Sequence, residues 1–285
     1  MDLARLAAGV VHHPTPAPPP VAFAATELAR YLARMFGAAA PLQPQPAPAG
    51  SWLHLGPPDE APPRLPALDG AEAVVRHVGG GATIAARSPQ ALLAAVYALL
   101  AEAGCRWSPA GAAEEHVPVG PEARATVPAL TLRPLFARRA YAADLATWHC
   151  TMPERLAARL PGDVAFVDWM AKTGATGFLF IRHANDSQWL VPELVPALAQ
   201  RGLALEAGGH VLVELLPRAL HGAHPGYFPL DADGRRSDLG NACASNRDAL
   251  DVIRTRARAA CDALGVTDLH RWPLAVFPSI PAGLS

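Results

Sequence analysis

The spacing of apolar residues changes character near residue 135. Upstream, helical stripes alternate with short apolar runs. Residues 22–36 place Leu28, Tyr31, Leu32 and Met35 on one helical face, and Gly37 stands where a helix end favours glycine. Residues 3–12 read as a first strand, and the Pro-, Ala- and Gln-rich residues 41–50 as a loop. Short strands are predicted over 52–55, 72–78 and 82–86. Gly79-Gly80-Gly81 reads as a hairpin turn; the full G-x-x-x-x-G-K-[ST] pattern of a phosphate loop is not there. Ser88-Pro89 is a strong helix start, Leu92, Leu93, Val96, Tyr97 and Leu100 supply the buried stripe, and Gly104 ends it. These elements predict a small α/β domain over residues 1–120, with two helices covering one face of a sheet.

A connector of low periodicity follows over 111–134, its core being 121–134. Beyond it the pattern becomes strand, helix, strand, helix. Strands are predicted over 139–145, 177–183, 203–206 and 268–272. Helices are predicted over 163–173 (Phe166, Val167, Trp169, Met170), 190–200 and 246–264, with Pro192 near the start of the second and Pro196 bending it. Phe178-Leu179-Phe180-Ile181 is apolar without alternation, as in a strand covered on both faces. The fold class expected is therefore α/β: an N-terminal domain plus, over 135–285, an incomplete (β/α)8 barrel of the TIM type with about four of its eight strands. No internal repeat is visible.

Composition narrows the function. A hydrophobic fraction of 51% with 17% charged residues describes a folded chain with a real core. Net charge is −1 with no block of Lys or Arg, which argues against nucleic acid as a partner. Arg254, Arg256 and Arg258 spread round a helix and read as a solvated face. No stretch approaches ~20 apolar residues, so no membrane span is expected. The N-terminus lacks the apolar core of a signal peptide, which makes the cytoplasm the expected compartment. Cys105, Cys150, Cys243 and Cys261 are scattered and read as free thiols. No cofactor is expected: neither a G-x-G-x-x-G after a first strand nor a G-x-S-x-G elbow occurs.

Several stretches carry a resemblance. Ala24-Ala25-Thr26-Glu27-Leu28-Ala29-Arg30-Tyr31-Leu32, Trp52-Leu53-His54-Leu55-Gly56, and the run from Ser88-Pro89 through Ala95-Val96-Tyr97 to Gly104-Cys105-Arg106-Trp107 are similar to the non-catalytic domain that precedes the barrel in glycoside hydrolase family 67 α-glucuronidases and bacterial β-hexosaminidases. The second part resembles the barrel of a related bacterial family of glycosidase-like proteins. It does so through Phe166-Val167-Asp168-Trp169-Met170-Ala171-Lys172, Gly208-Gly209-His210, His224-Pro225-Gly226-Tyr227-Phe228 and Cys243-Ala244-Ser245-Asn246. That family usually has an acidic residue where this chain has Gly226. The resemblance implies a small hexosaminidase-type accessory domain, a glycosidase-type barrel, and a poly- or oligosaccharide containing uronic acid or hexosamine as the partner. It also implies that the acid/base pair comes from the fourth strand onward, so that this chain is expected to stop before the catalytic carboxylates. Four strands without closing partners leave an edge through which copies are expected to self-associate.

In such a barrel ligands sit beyond the carboxyl ends of the strands. Arg182, His183, Asn185, Gln188 and Trp189 follow the second strand and offer the mixture of hydrogen-bonding groups and an aromatic ring that a sugar needs. Gly208, Gly209 and His210 end the third strand, where glycine permits close approach and His210 faces the mouth. Trp272 would end the fourth. Tyr227 and Phe228 are either a sugar platform or buried loop anchors. His221 and His224 have H-x-x-H spacing, but Gly222 and Pro225 favour a loop over a metal site. Asp144, Asp186, Glu206 and Glu214 are the carboxyl candidates, with nothing to rank them. The function expected from the resemblance and these residues is that of a glycosidase-like enzyme, the alternative being a non-catalytic carbohydrate-binding protein or an inactive fragment.

Overall fold

Asp2 opens the first element of the computed structural model, which describes residues 1–38, 40–46, 50–57, 65–109, 111–143, 145–147, 152–183, 194–210 and 212–263. Its carboxylate accepts from Arg5 N at 3.1 Å and caps helix α1 (Leu3–Ala7). A strand beginning at Leu3 is therefore corrected: Leu3, Leu6 and Ala7 are buried on one face of a helical turn, and β1 (Val10–Thr15) starts only afterwards. Helix α2 (Pro19–Phe36) buries the expected stripe of Leu28, Tyr31, Leu32 and Met35, and Gly37, at φ 73°, closes it through Gly37 N to Ala33 O.

Residues 41–50, expected as loop, contain a strand. β2 (Leu42–Pro46) runs parallel to β1, with Val11 beside Leu42 and Thr15 beside Pro46. Pro44 and Pro46 disguise it in sequence, and it tolerates them because it lies at the sheet edge, where proline's missing N–H breaks no ladder. β3 (Ser51–Gly56), β4 (Ala73–Val78) and β5 (Gly81–Ala86) follow as expected. β4 and β5 form a hairpin closed by the Val78–Gly81 pair, with Gly79 at φ 59° in the turn. Helix α3 (Pro89–Glu102) is capped by Ser88 Oγ, which accepts from Ala91 N at 3.1 Å. Its Leu92, Leu93, Val96, Tyr97 and Leu100 are all buried, each stabilising the fold by on the order of 2 kcal/mol. α2 and α3 pack on each other and on the sheet. The connector is not structureless, because β6 (Leu130–Leu132) pairs with β4 and completes a six-stranded mixed sheet of order β2-β1-β3-β5-β4-β6.

A second sheet, of order β7-β8-β9, comes from β7 (Ala140–Ala142), β8 (Gly177–His183) and β9 (Ala204–His210). Helix α4 (Pro153–Lys172) lies between the first two strands and α5 (Leu194–Gln200) between the last two. α4 begins well before the expected start at residue 163. Pro161-Gly162 reads as a break, yet the helix runs through it on an exposed stretch, where losing one backbone bond is tolerated. Thr176 N donates to Arg139 O at 2.7 Å and Ala204 N to Thr176 O at 3.0 Å, so the three strands begin side by side and run parallel. Gly177 is needed at this start, since a Cβ there would lie 2.9 Å from Ala204 O. The predicted strand over 268–272 lies outside the described residues. Among the described residues no helix is long and apolar enough to cross a membrane.

By contacts the chain divides into two compact units. One comprises Met1–Tyr141, Leu145–Phe178 and Leu190–Leu205, and so holds the six-stranded sheet, α1 to α5 and the strand starts. The other comprises Ala142–Asp144, Leu179–Trp189 and Glu206–Ser285, and so holds the strand ends and everything that follows β9.

Candidate functional site

β8 and β9 begin level, are neighbours, and have seven residues each. They therefore end level, which brings Arg182 and His183 on one strand beside Gly208, Gly209 and His210 on the other. Two candidate stretches well separated in sequence thus share the carboxyl end of one sheet, the position at which α/β folds bind ligands. Glu206 is the third residue of β9, and Glu214 falls in helix α6 (Leu212–Leu215) just beyond. Asp144, Asn185, Asp186, Gln188, Trp189 and Trp272 lie outside the described residues.

The long connection from α6 to helix α7 (Arg247–Ala263) is organised by short-range chemistry. Two 3-10 turns, Arg218–His221 and Pro225–Tyr227, precede a tight loop in which Asp231 Oδ1 accepts from Asp233 N and Arg235 N. The loop returns so that Arg236 Nη1 donates to Phe228 O at 2.7 Å. The motifs around Tyr227 and Asn246 then meet. Cys243 N donates to Tyr227 O at 2.8 Å, and Asn246 Nδ2 donates to Gly226 O at 2.9 Å. Asn246 Oδ1 accepts from Ala249 N at 2.9 Å and so caps α7. One side chain serves two elements, and Asn246→Ala is expected to cost about 1–2 kcal/mol of stability, read as a lower urea midpoint; an unchanged midpoint would show that the cap carries no weight.

Phe228 is 1% exposed and is a buried anchor, which removes it from the platform pair. Tyr227 is half-buried and its ring stacks on His224, centroids 4.7 Å apart and planes 8° from parallel. His221 turns elsewhere, its Nε2 3.2 Å from Arg236 O and its ring against Phe228. The two histidines thus have separate partners, and no group of three His, Cys, Asp or Glu suited to a metal occurs among the described residues. A Cβ at Gly226 would be 3.5 Å from Asn246 Nδ2, which is ordinary contact. Cys243, with Sγ 3.3 Å from Ser245 Oγ, has its thiol lowered to about 7 by hydrogen bonds from Ser245 and Arg236.

Beside these turns Tyr227 and one face of α7 form an open groove of about 520 Å³, lined by Asp248, Asp251, Val252, Thr255 and Arg256. No sequence motif marks this groove. Its one local signal is that 248, 251, 252, 255 and 256 share a helical face. Arg254, Arg256 and Arg258 are exposed, as a solvated face requires, and Arg254 pairs with Asp251 at 2.7 Å.

No protein-family model and no curated protein matches the chain. The groove sets an aromatic ring beside carboxylate, hydroxyl and guanidinium groups. Such a mixture can hold polyhydroxylated rings.

Proposed function

We propose that the protein is a glycoside hydrolase-like protein that acts on or binds glycans containing uronic acid or hexosamine. The observation that carries this reading is the meeting of Arg182-His183 and Gly208-Gly209-His210 at the carboxyl end of adjacent parallel strands. In this reading β7, β8 and β9 with α4 and α5 belong to a glycosidase-type (β/α) barrel, and the six-stranded sheet with α2 and α3 is its hexosaminidase-type accessory domain. In this reading sugar hydroxyls bond to Arg182, His183 and His210, and the glycines admit the ring close to the backbone.

A second reading, binding without turnover, is favoured by one observation. Glycoside hydrolysis needs two carboxyl groups flanking the scissile bond. Asp248 and Asp251, the two carboxylates lining the groove, stand about one turn apart on the same helix and not on two separate elements. The two readings separate by assay. Release of aryl alcohol from aryl glucuronides or aryl hexosaminides by the full chain supports the enzyme. Saturable oligosaccharide binding without release supports the binding protein.

A further inference from the structure

Glu115 lies inside the first compact unit with its side chain only 2% exposed. Three donors from two helices converge on it: the Tyr31 hydroxyl and Arg34 Nη1 from α2, and Lys172 Nζ at 3.0 Å from the last turn of α4. Lys172 is itself 7% exposed and pairs with Asp168 at 2.5 Å, and Asp168 in turn receives Arg201 at 2.8 and 2.9 Å. Aromatic rings enclose the charges. Trp107 Nε1 donates to Tyr31 Oη at 2.8 Å, and the rings of Tyr31, Tyr97 and Trp107 meet edge to face. Lys172 Nζ stands 5.8 Å from the Tyr31 centroid and 6.0 Å from that of Tyr97. Further links run the same way: Gln90 Nε2 donates to Ala175 O at 2.7 Å, and Arg139 pairs with Glu72 at 3.2 Å.

We infer that the six-stranded sheet with α2 and α3 and the α4–α5 stretch form one cooperative folding unit, latched by Glu115 and Lys172, and not two domains joined by a linker. The physical reason is that neither charge can be left behind. Without Lys172, Glu115 stays buried with its charge only partly matched by Arg34; without Glu115, Lys172 stays buried against Asp168 alone. A buried pair of this kind is far costlier to break than a surface pair. The accessory layer is then a structural precondition for α4, which leads into β8.

Hydrogen exchange of the full chain across a urea series tests this, comparing wild type with Lys172→Met and the conservative Lys172→Arg. Peptides from α2, α3 and α4 are expected to lose protection in a single step. Lys172→Met should lower protection in all three by roughly a hundredfold, and Lys172→Arg should retain most of it. Loss of α4 protection at lower urea than α2 and α3 in the wild type, or a Lys172→Met effect confined to α4, would overturn the inference. If Lys172→Met does not fold, the wild-type series and Lys172→Arg decide it.

Discussion

Glu115→Gln is expected to lose about 3 kcal/mol of stability at neutral pH and, with it, a distinct part of the protein's sensitivity to acid. Burial alone would raise this carboxyl, but the hydrogen bonds from Tyr31, Arg34 and Lys172 outweigh it and hold the carboxyl at about 2, below its ordinary 4.5. A carboxyl depressed on folding contributes stability that is complete above its unfolded value and fades as pH falls toward its folded value. At about 1.4 kcal/mol per unit, the shift corresponds to about 3 kcal/mol, lost progressively between about pH 4.5 and pH 2. Urea unfolding at pH 7 and at pH 3 should thus show a large gap between wild type and Glu115→Gln at the higher pH and one roughly half as large or less at the lower. Equal gaps at both would mean that the carboxylate charge is not what holds the site. Tyr31, pushed up to about 12 by burial and by Glu115, stays a neutral donor throughout this window.

Asp163→Ala should cost about 3 kcal/mol as well, by a different route. Asp163 is 4% exposed, yet it sits midway along α4 and reaches the turn after β7. Ala146 N and Thr147 N each donate to it at 2.8 Å, and the Thr147 hydroxyl at 2.6 Å. Removing the acceptor leaves three donors stranded, two of them on a residue that is itself 4% exposed. Buried unsatisfied donors cost about 1–3 kcal/mol each, with partial relaxation of the turn reducing the sum. Asp163→Asn keeps one acceptor and should recover part of the loss. A change below about 1 kcal/mol for the alanine variant would mean that water replaces the carboxylate freely.

Elements that depend on neighbours in sequence are legible from the order of residues alone. Ser88-Pro89 and Gly37 mark their helix ends by local rules, and α2, α3, β3, β5 and β8 fall where spacing puts them. Elements that depend on distant partners are not. β2 is a strand because β1 offers it an edge, despite two prolines, and β6 because β4 does. α4 conceals its first half behind Pro161-Gly162, and α1, with Leu3, Leu6 and Ala7 buried at i, i+3 and i+4, is at five residues too short for its helical spacing to stand out from an apolar strand. The same divide holds for chemistry. Gly208-Gly209-His210 and the motifs around Tyr227 and Asn246 are visible as strings, but their meeting depends on strand register and on Asn246 bridging to Gly226. The Glu115 latch leaves no trace in the sequence, because Tyr31 and Glu115 are 84 residues apart and nothing local announces a buried carboxylate.

A binding titration of the full chain with oligosaccharides of each sugar class, repeated with His210→Ala, tests the functional account most directly. It predicts saturable binding of a uronic-acid or hexosamine oligosaccharide by the wild type, weakened at least roughly tenfold by His210→Ala as loss of one hydrogen bond to the sugar requires, with thermal stability unchanged. No saturable binding of either class, or binding that His210→Ala leaves untouched, would contradict the placement of a glycan site at the ends of β8 and β9.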